Sequence, residues 1–352
     1  MWARALFALA AAASSLIGSD GSRHPVATAD PQQPSGPFTA STDLVVVPVV
    51  VEDRKGASVR TLRQEDFTLT EDGKPVAIET FVAPAAAAEG GMGADGRFVV
   101  VALDNITTPA EIAWRVKDIA NYFVDRMGPA DDLSVITLAN GRASSGGGQE
   151  AARAAIRRFG PTIYTARTRA EVVAEGLQSL ESLTEQMAKS PHRRKVLAII
   201  GASYMFNPSE PSAFYDVGPN LSVHWEGAVR NASRSNVSVY LIDPRGHAPM
   251  AEAISPTSPS SESSDAAGAG PNARQSFVYS GADTSGNFTN RTGGQAWVNT
   301  NNYKGAVESI WRDAGTYYLL GYRTPVNDHR LHDIDVKVRQ DGLKLRARRA
   351  RG

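Results

Sequence analysis

The chain has 352 residues, 42% of them hydrophobic, and its 37 Lys plus Arg balance 37 Asp plus Glu. That length admits one to three domains, and zero formal net charge gives no overall pull toward nucleic acid or an anionic membrane. The absence of cysteine excludes disulfides, thiolate metal sites, a cysteine nucleophile and a cysteine-linked lipid anchor.

The N-terminus carries one positive charge at Arg4, a short apolar stretch from Ala5 to Gly18, and a small-x-small site at Ala27-Thr28-Ala29. This is a signal-peptide pattern over residues 1–29, too short for a spanning helix. The expectation is a secreted or periplasmic protein with no transmembrane segment in the mature chain. Residues 30–42, rich in Pro, Gln and Ser, read as a linker.

A β segment follows over residues 43–83. Leu44–Val51 is a β-branched strand, and Pro48 within it argues for an edge or a bulge. Phe67–Thr70 and Val76–Phe81 flank Glu71-Asp72-Gly73-Lys74-Pro75, a hairpin signal. A soft Ala/Gly linker runs from Ala83 to Gly96. Its Gly91-Met92-Gly93-Ala94-Asp95-Gly96 is formally G-x-G-x-x-G, but it precedes a strand instead of following one, so it reads as linker.

Residues 97–314 alternate between strand and helix. Phe98–Leu103 is an unbroken apolar run, the pattern of a strand buried on both faces of a parallel sheet. It ends at Asp104. Thr108-Pro109-Ala110-Glu111 then reads as a capping box with proline at the first helical position. Ile112, Val116, Ile119, Phe123 and Met127 share one helix face. Strand Leu133–Leu138 follows. A second capping box at Thr168–Glu171 starts a helix with Val173, Leu177, Leu180 and Met187 on one face. Then come strand Val196–Ile200, a helix marked by Leu221, Trp225, Ala228, Val229 and Ala232, and strand Val237–Ile242 ending at Asp243. Gln295–Val298 is a short strand, and Tyr303–Asp313 a helix closed by Gly315. The alternation predicts a doubly wound, mostly parallel sheet. Two long insertions, 202–220 and 244–292, leave its carboxyl edge, and the core of the second is low-complexity.

Residues 315–352 return to β: Tyr317–Tyr322, an alternating Asp333–Arg339, and the turn Gln340-Asp341-Gly342 into Leu343–Arg348. Each β end alone is too small for an independent core, so the two are expected to join in one small sandwich. The basic tail from Lys344 to Arg351 reads as a solvated final strand. His329 and His332, beside Asp328 and Asp333, read as a turn before a strand and not as a metal site.

Asp104 sits where a central strand hands over to a helix, the edge at which open α/β sheets bind ligands. A carboxylate and hydroxyls there suit a divalent cation, which prefers oxygen ligands. The simpler alternative is that Asp104 and Thr108 only cap the helix.

Three stretches together resemble the von Willebrand factor type A domain, and in particular the VWFA-related family of acidobacterial secreted proteins. They are Asp43–Phe81 with its Glu71-Asp72-Gly73-Lys74-Pro75 turn, Phe98–Met127, and Gly315–Tyr322 with the final Asp333–Arg349 hairpin. The resemblance implies a type A α/β domain. It also implies a Mg²⁺ adhesion site with the motif Asp-x-Ser-x-Ser, a loop threonine and a late aspartate. Asp104 matches the aspartate and Thr108 the second serine, whereas Ile106 stands at the first serine and cannot ligate. Thr162 or Thr165 is the candidate loop threonine. Gly201-Ala202-Ser203 stands where the late aspartate belongs. The site therefore reads as degenerate, with Asp104 and Thr108 its surviving metal positions and no cofactor expected. The functional expectation is a secreted, non-enzymatic protein that binds a protein or cell-surface ligand through its loop face. The alternatives are Mg²⁺-dependent adhesion at Asp104 and a hydrolase using the same face.

Overall fold

The structure, a computed structural model, describes residues 43–84, 96–106, 108–138, 148–162, 169–190, 194–201, 220–246, 287–324, 328 and 330–352. The signal-peptide and linker expectations, Thr165, Ala202, Ser203, His329 and the low-complexity stretch lie outside these residues.

The two ends of the chain build the antiparallel part. Its strands are β1 (Asp43–Glu52), β2 (Phe67–Glu71), β3 (Lys74–Val76) and β4 (Thr80–Val82). The centre supplies β5 (Phe98–Leu103), β6 (Asp132–Thr137), β7 (Lys195–Ile200), β8 (Val237–Ile242) and β9 (Ala296–Trp297). The C-terminal part adds β10 (Tyr318–Thr324), β11 (His332–Val338), β12 (Lys344–Ala347) and β13 (Ala350–Arg351). One antiparallel sheet has the order β12-β1-β10-β4, the other β13-β11-β2-β3. Alternation puts Val45, Val47, Val49 and Val51 of β1 on one face. They share a core with Phe67 and Leu69 of β2, Tyr318, Leu320 and Tyr322 of β10, and Ile334 and Val336 of β11. The two sheets thus pack face to face, and each mixes strands from both ends of the chain.

Several local expectations meet their reasons here. The β2–β3 hairpin turns through Asp72 at φ 49° and Gly73 at φ 75°, the left-handed pair of a type I′ turn. The expected strand Val76–Phe81 is instead split, because the chain leaves β3 in one sheet and enters β4 in the other. β1 is an interior strand and not an edge. However, β12 pairs with it only from Val49 onward. Pro48 thus stands where that flank has no strand, and Arg348 Nη2 donates to the Val46 carbonyl there at 2.8 Å.

Between the two ends lies a five-stranded, all-parallel sheet in the order β6-β5-β7-β8-β9. Its helices are α1 (Ala113–Asp125), α2 (Gly148–Arg158), α3 (Arg169–Ala188), α4 (Asn220–Arg234), a short α5 over 287–292, and α6 (Tyr303–Gly315). One face of the sheet packs against α3 and α4 through Leu177, Leu180, Met187, Trp225, Ala228 and Val229. The other packs against α1, α2 and α6 through Val116, Ile119, Phe123, Ile156 and Trp311. Cover on both faces explains why β7 and β8 are buried along their whole length.

Three expectations need correction. First, Thr108 does not cap a helix: a 3₁₀ turn over Ala110–Ile112 has Pro109 at its N-cap without a side-chain cap bond, and α1 begins only at Ala113. Second, Gly315 is the last residue of α6 and not its left-handed stop. Thr316 closes the helix in an extended conformation, its N–H bonding the Arg312 carbonyl. Third, the basic tail is solvated only in part: Lys344 and Arg349 are exposed, whereas other arginines of the tail turn inward. Arg348 and Arg351 are buried, and β13 pairs with β11. Arg346, Arg348 and Arg351 reach inward because acids and carbonyls await them. Arg346 bonds Glu52 at 2.9 Å and Asp313 at 2.7 Å, and Arg351 pairs with Glu71. Glu52 also takes Arg312 at 2.8 Å. Asp313 accepts from the Tyr240 hydroxyl at 3.1 Å, and that hydroxyl accepts from Arg194 at 3.0 Å. This chain of polar contacts runs from β1 and β12 through α6 to β8, joining the antiparallel part to the parallel sheet.

Candidate functional site at the carboxyl edge of the parallel sheet

The central strand β5 delivers Asp104 to the sheet's carboxyl edge, where it is fully buried. Its N–H continues the ladder by bonding the Ile200 carbonyl of β7 at 3.0 Å. One carboxylate oxygen accepts the Ile106 N–H at 2.9 Å, closing an Asx turn. Ile106 itself is buried in the core on the α3–α4 side. The apolar residue at the motif's first serine position is therefore a packing residue.

Gly201, at the end of β7, lies against this carboxylate. A Cβ there would sit 2.5 Å from the Asp104 Cβ and 2.6 Å from Oδ2. No side chain fits at 201, which is a physical reason for glycine at the first position of the Gly201-Ala202-Ser203 stretch.

The loop threonine at 162 does come to the site. Asn105 Nδ2 donates to the Thr162 hydroxyl at 2.6 Å, and the Thr162 N–H donates to the Asn105 carbonyl at 2.8 Å. The hydroxyl is thus engaged by an amide beside Asp104. Thr108 is buried, and its hydroxyl has no hydrogen-bond partner among the described residues.

A resident Mg²⁺ would need near-octahedral oxygen coordination. The described residues bring one carboxylate and one unsatisfied hydroxyl, and among them no group of three or more His, Asp or Glu could hold an ion. With one Asp104 oxygen turned to a backbone amide and no side chain admissible at 201, these residues do not form a complete cage.

The neighbouring strand ends add a second feature. Asp243, at the end of β8, is clamped by Arg245, whose Nε and Nη2 lie 3.0 and 2.5 Å from Oδ2. The Arg115 guanidinium donates to the Arg245 carbonyl at 2.9 Å and stands 5.3 Å from the Trp114 ring and 5.8 Å from the Tyr303 ring. Both distances are in the cation–π range. Tyr303 bonds the Pro244 carbonyl at 3.1 Å, and burial raises the pKa of its phenol. Trp114 remains 57% exposed at the start of α1. It was not singled out from the sequence, yet a signal exists there: it falls off the Ile112–Val116–Ile119–Phe123 stripe.

His332 sits between two carboxylates, with Nδ1 2.8 Å from Asp72 and Nε2 2.8 Å from Asp328. The Asp72 bond, against the opposing effect of burial, holds its pKa above the ordinary value. With both ring nitrogens so engaged, His332 staples the turn before β11 to the β2–β3 hairpin. Among the described residues no helix is long and apolar enough to cross a membrane.

No protein-family model matches the chain, and a search of curated proteins finds no match.

Proposed function

We propose that this chain is an exported, non-enzymatic binding protein that recognises a protein or cell-surface ligand at the carboxyl edge of its parallel sheet. The reading rests on the sequence resemblance to type A domains, with which the parallel-sheet layout is compatible. The observation that carries it is Trp114, a half-exposed indole beside Arg115 on that edge. Exposed Trp and Arg are the residue types that dominate binding hot spots. Recognition in this reading is independent of metal, because the residues around Asp104 fall short of a cage.

The test is capture of envelope and exported proteins on immobilised protein, with affinity for the captured partner then measured in Mg²⁺ and in chelator. Trp114→Ala should weaken the affinity by about tenfold or more, the scale of a modest hot spot, and chelator should leave it unchanged. Affinity indifferent to Trp114→Ala refutes the reading. Affinity abolished by chelator and by Asp104→Ala makes the protein a Mg²⁺-dependent adhesin instead, and turnover of a hydrolase substrate panel makes it an enzyme.

A further inference from the structure

At the opposite, amino end of the parallel strands lies a cleft of about 960 Å³. That volume is at the upper end of the range for small-molecule sites. Its floor is the outer face of the β12-β1-β10-β4 sheet. Because side chains alternate, Leu44 and Val46 of β1, Leu319 of β10 and Val82 of β4 share that outer face, opposite the sandwich core. Gly321, paired with Val46 and Thr80, adds no side chain, and Leu44 and Thr80 close in over it. Leu44 is 50% exposed and Val82 38% exposed, two of the few large apolar side chains that the fold leaves in water.

The wall is cationic. Lys195, at the start of β7, is 6% exposed, and Arg348, just past β12, is 3% exposed; both line the cleft. Among the described residues neither has a carboxylate within ion-pair reach. The Lys195 ammonium has one acceptor, the Ser235 carbonyl at 3.0 Å. Arg348 gives its two Nη groups to the carbonyls of Ser233 and Val46, and its Nε has no hydrogen-bond partner among the described residues. By contrast Arg351, which also lines the cleft, is neutralised by Glu71. Buried cations are normally paired, since an unpaired one costs several kcal/mol. Two uncompensated cations beside an apolar floor are complementary to one kind of ligand.

We propose that this cleft binds a long-chain carboxylate of the fatty-acid type, its acyl chain along Leu44, Val46, Val82 and Leu319 and its carboxylate at Lys195 and Arg348. A carboxylate suits the site better than a multiply charged head, because Arg348 already spends its Nη donors on carbonyls and Lys195 is left as the main free donor. The cleft is remote from the carboxyl edge, so this site stands or falls independently of the recognition face.

The experiment is calorimetric titration of the full chain with laurate below its micellar concentration, beside 1-dodecanol as the uncharged chain of equal length. Laurate should bind saturably at one site per chain, and dodecanol about tenfold or more weakly. Lys195→Met removes the ammonium while keeping the stem. Val82→Asp, at a position 38% exposed on the edge strand β4, sets a like charge in the floor. Each should weaken laurate binding by about tenfold or more, with Trp114→Ala unchanged. The proposal is overturned by an absence of saturable laurate binding, by dodecanol binding equally well, or by unaltered laurate affinity in Val82→Asp.

Discussion

Replacing Arg346 by Met removes the hub of the polar chain that joins the antiparallel part to the parallel sheet. In the native protein its guanidinium touches Glu52 at 2.9 Å and Asp313 at 2.7 Å. The two acids then fare differently. Glu52 keeps Arg312 at 2.8 Å, whereas Asp313, fully buried, keeps the Tyr240 hydroxyl at 3.1 Å as its hydrogen-bond donor among the described residues. One Asp313 oxygen already has no hydrogen-bond partner among the described residues. Removing one member of a buried pair costs about 3–5 kcal/mol, because the remaining charge is left in a medium that cannot solvate it. The loss should appear in urea denaturation as a lower midpoint with an unchanged slope.

The pH dependence fixes the cause. Burial raises the Asp313 pKa above its ordinary 3.8, while Arg346 and then Arg194 pull it back. Without Arg346 it rises further. A carboxyl whose folded pKa exceeds its unfolded one binds protons more readily in the native state, so stability falls as pH rises from the unfolded value toward the folded one. The deficit of Arg346→Met should accordingly be small near the ordinary carboxylate pKa and grow toward neutrality. Adding Asp313→Asn removes the stranded charge and should recover much of the loss, giving a clear coupling energy in the double-mutant cycle. A deficit below about 1 kcal/mol at neutral pH, the worth of a surface pair, would refute the argument. So would a deficit indifferent to Asp313→Asn.

Four further outcomes are expected. Trp225→Ala and Trp311→Ala, at positions each 2% exposed on opposite faces of the sheet, should each cost about 3–5 kcal/mol in urea unfolding. The His332 imidazole should titrate above 6.5 by NMR; its stabilising clasp on Asp72 and Asp328 is present below that ordinary value and lost as pH rises through the folded one, so the stability gap to His332→Gln should close with rising pH. Mg²⁺ should shift the melting curve little, far from the roughly 2.7 kcal/mol of a ligand at a hundred times its dissociation constant, and a shift abolished by Asp104→Ala would show a complete metal site. Gly201→Ala, whose Cβ would meet Asp104 at 2.5 Å, should cost about 1–3 kcal/mol in urea midpoint through overpacking.

What could be read in the residues was what is local and periodic. The apolar run of β5, the stripe of α1 and the Asp72-Gly73 turn each follow from a pattern within a few residues. Helix α2 escaped because it buries little, chiefly Ala152 and Ile156, behind a run of glycines. The Thr108–Glu111 capping motif was present as spelling but not as geometry, since Pro109 directs the chain into a 3₁₀ turn. The tail arginines were misread because their partners are far away in sequence: Glu52 lies 294 residues before Arg346. The meeting of Asn105 with Thr162, 57 residues on, is likewise set by how β5 and the loop after α2 are juxtaposed; the resemblance offered Thr162 beside Thr165, and nothing local to the segment chose between them.

The pairing of β1 with β10 has a consequence in time. Val49 and Tyr318 are register partners about 270 residues apart, so β1 emerges from the ribosome long before its partner exists. At roughly 5–20 residues per second of synthesis, it waits on the order of fifteen to fifty seconds. During that wait Leu44–Val51 is an unpaired, β-branched, nearly uncharged strand, the kind of segment that templates aggregation. Pro48 stands in its middle. A proline withholds a ladder donor and is foreign to zipper-forming segments, yet the native sheet tolerates it because β12 stops at Val49. The interruption that the finished fold does not feel is thus a guard on the unfinished chain.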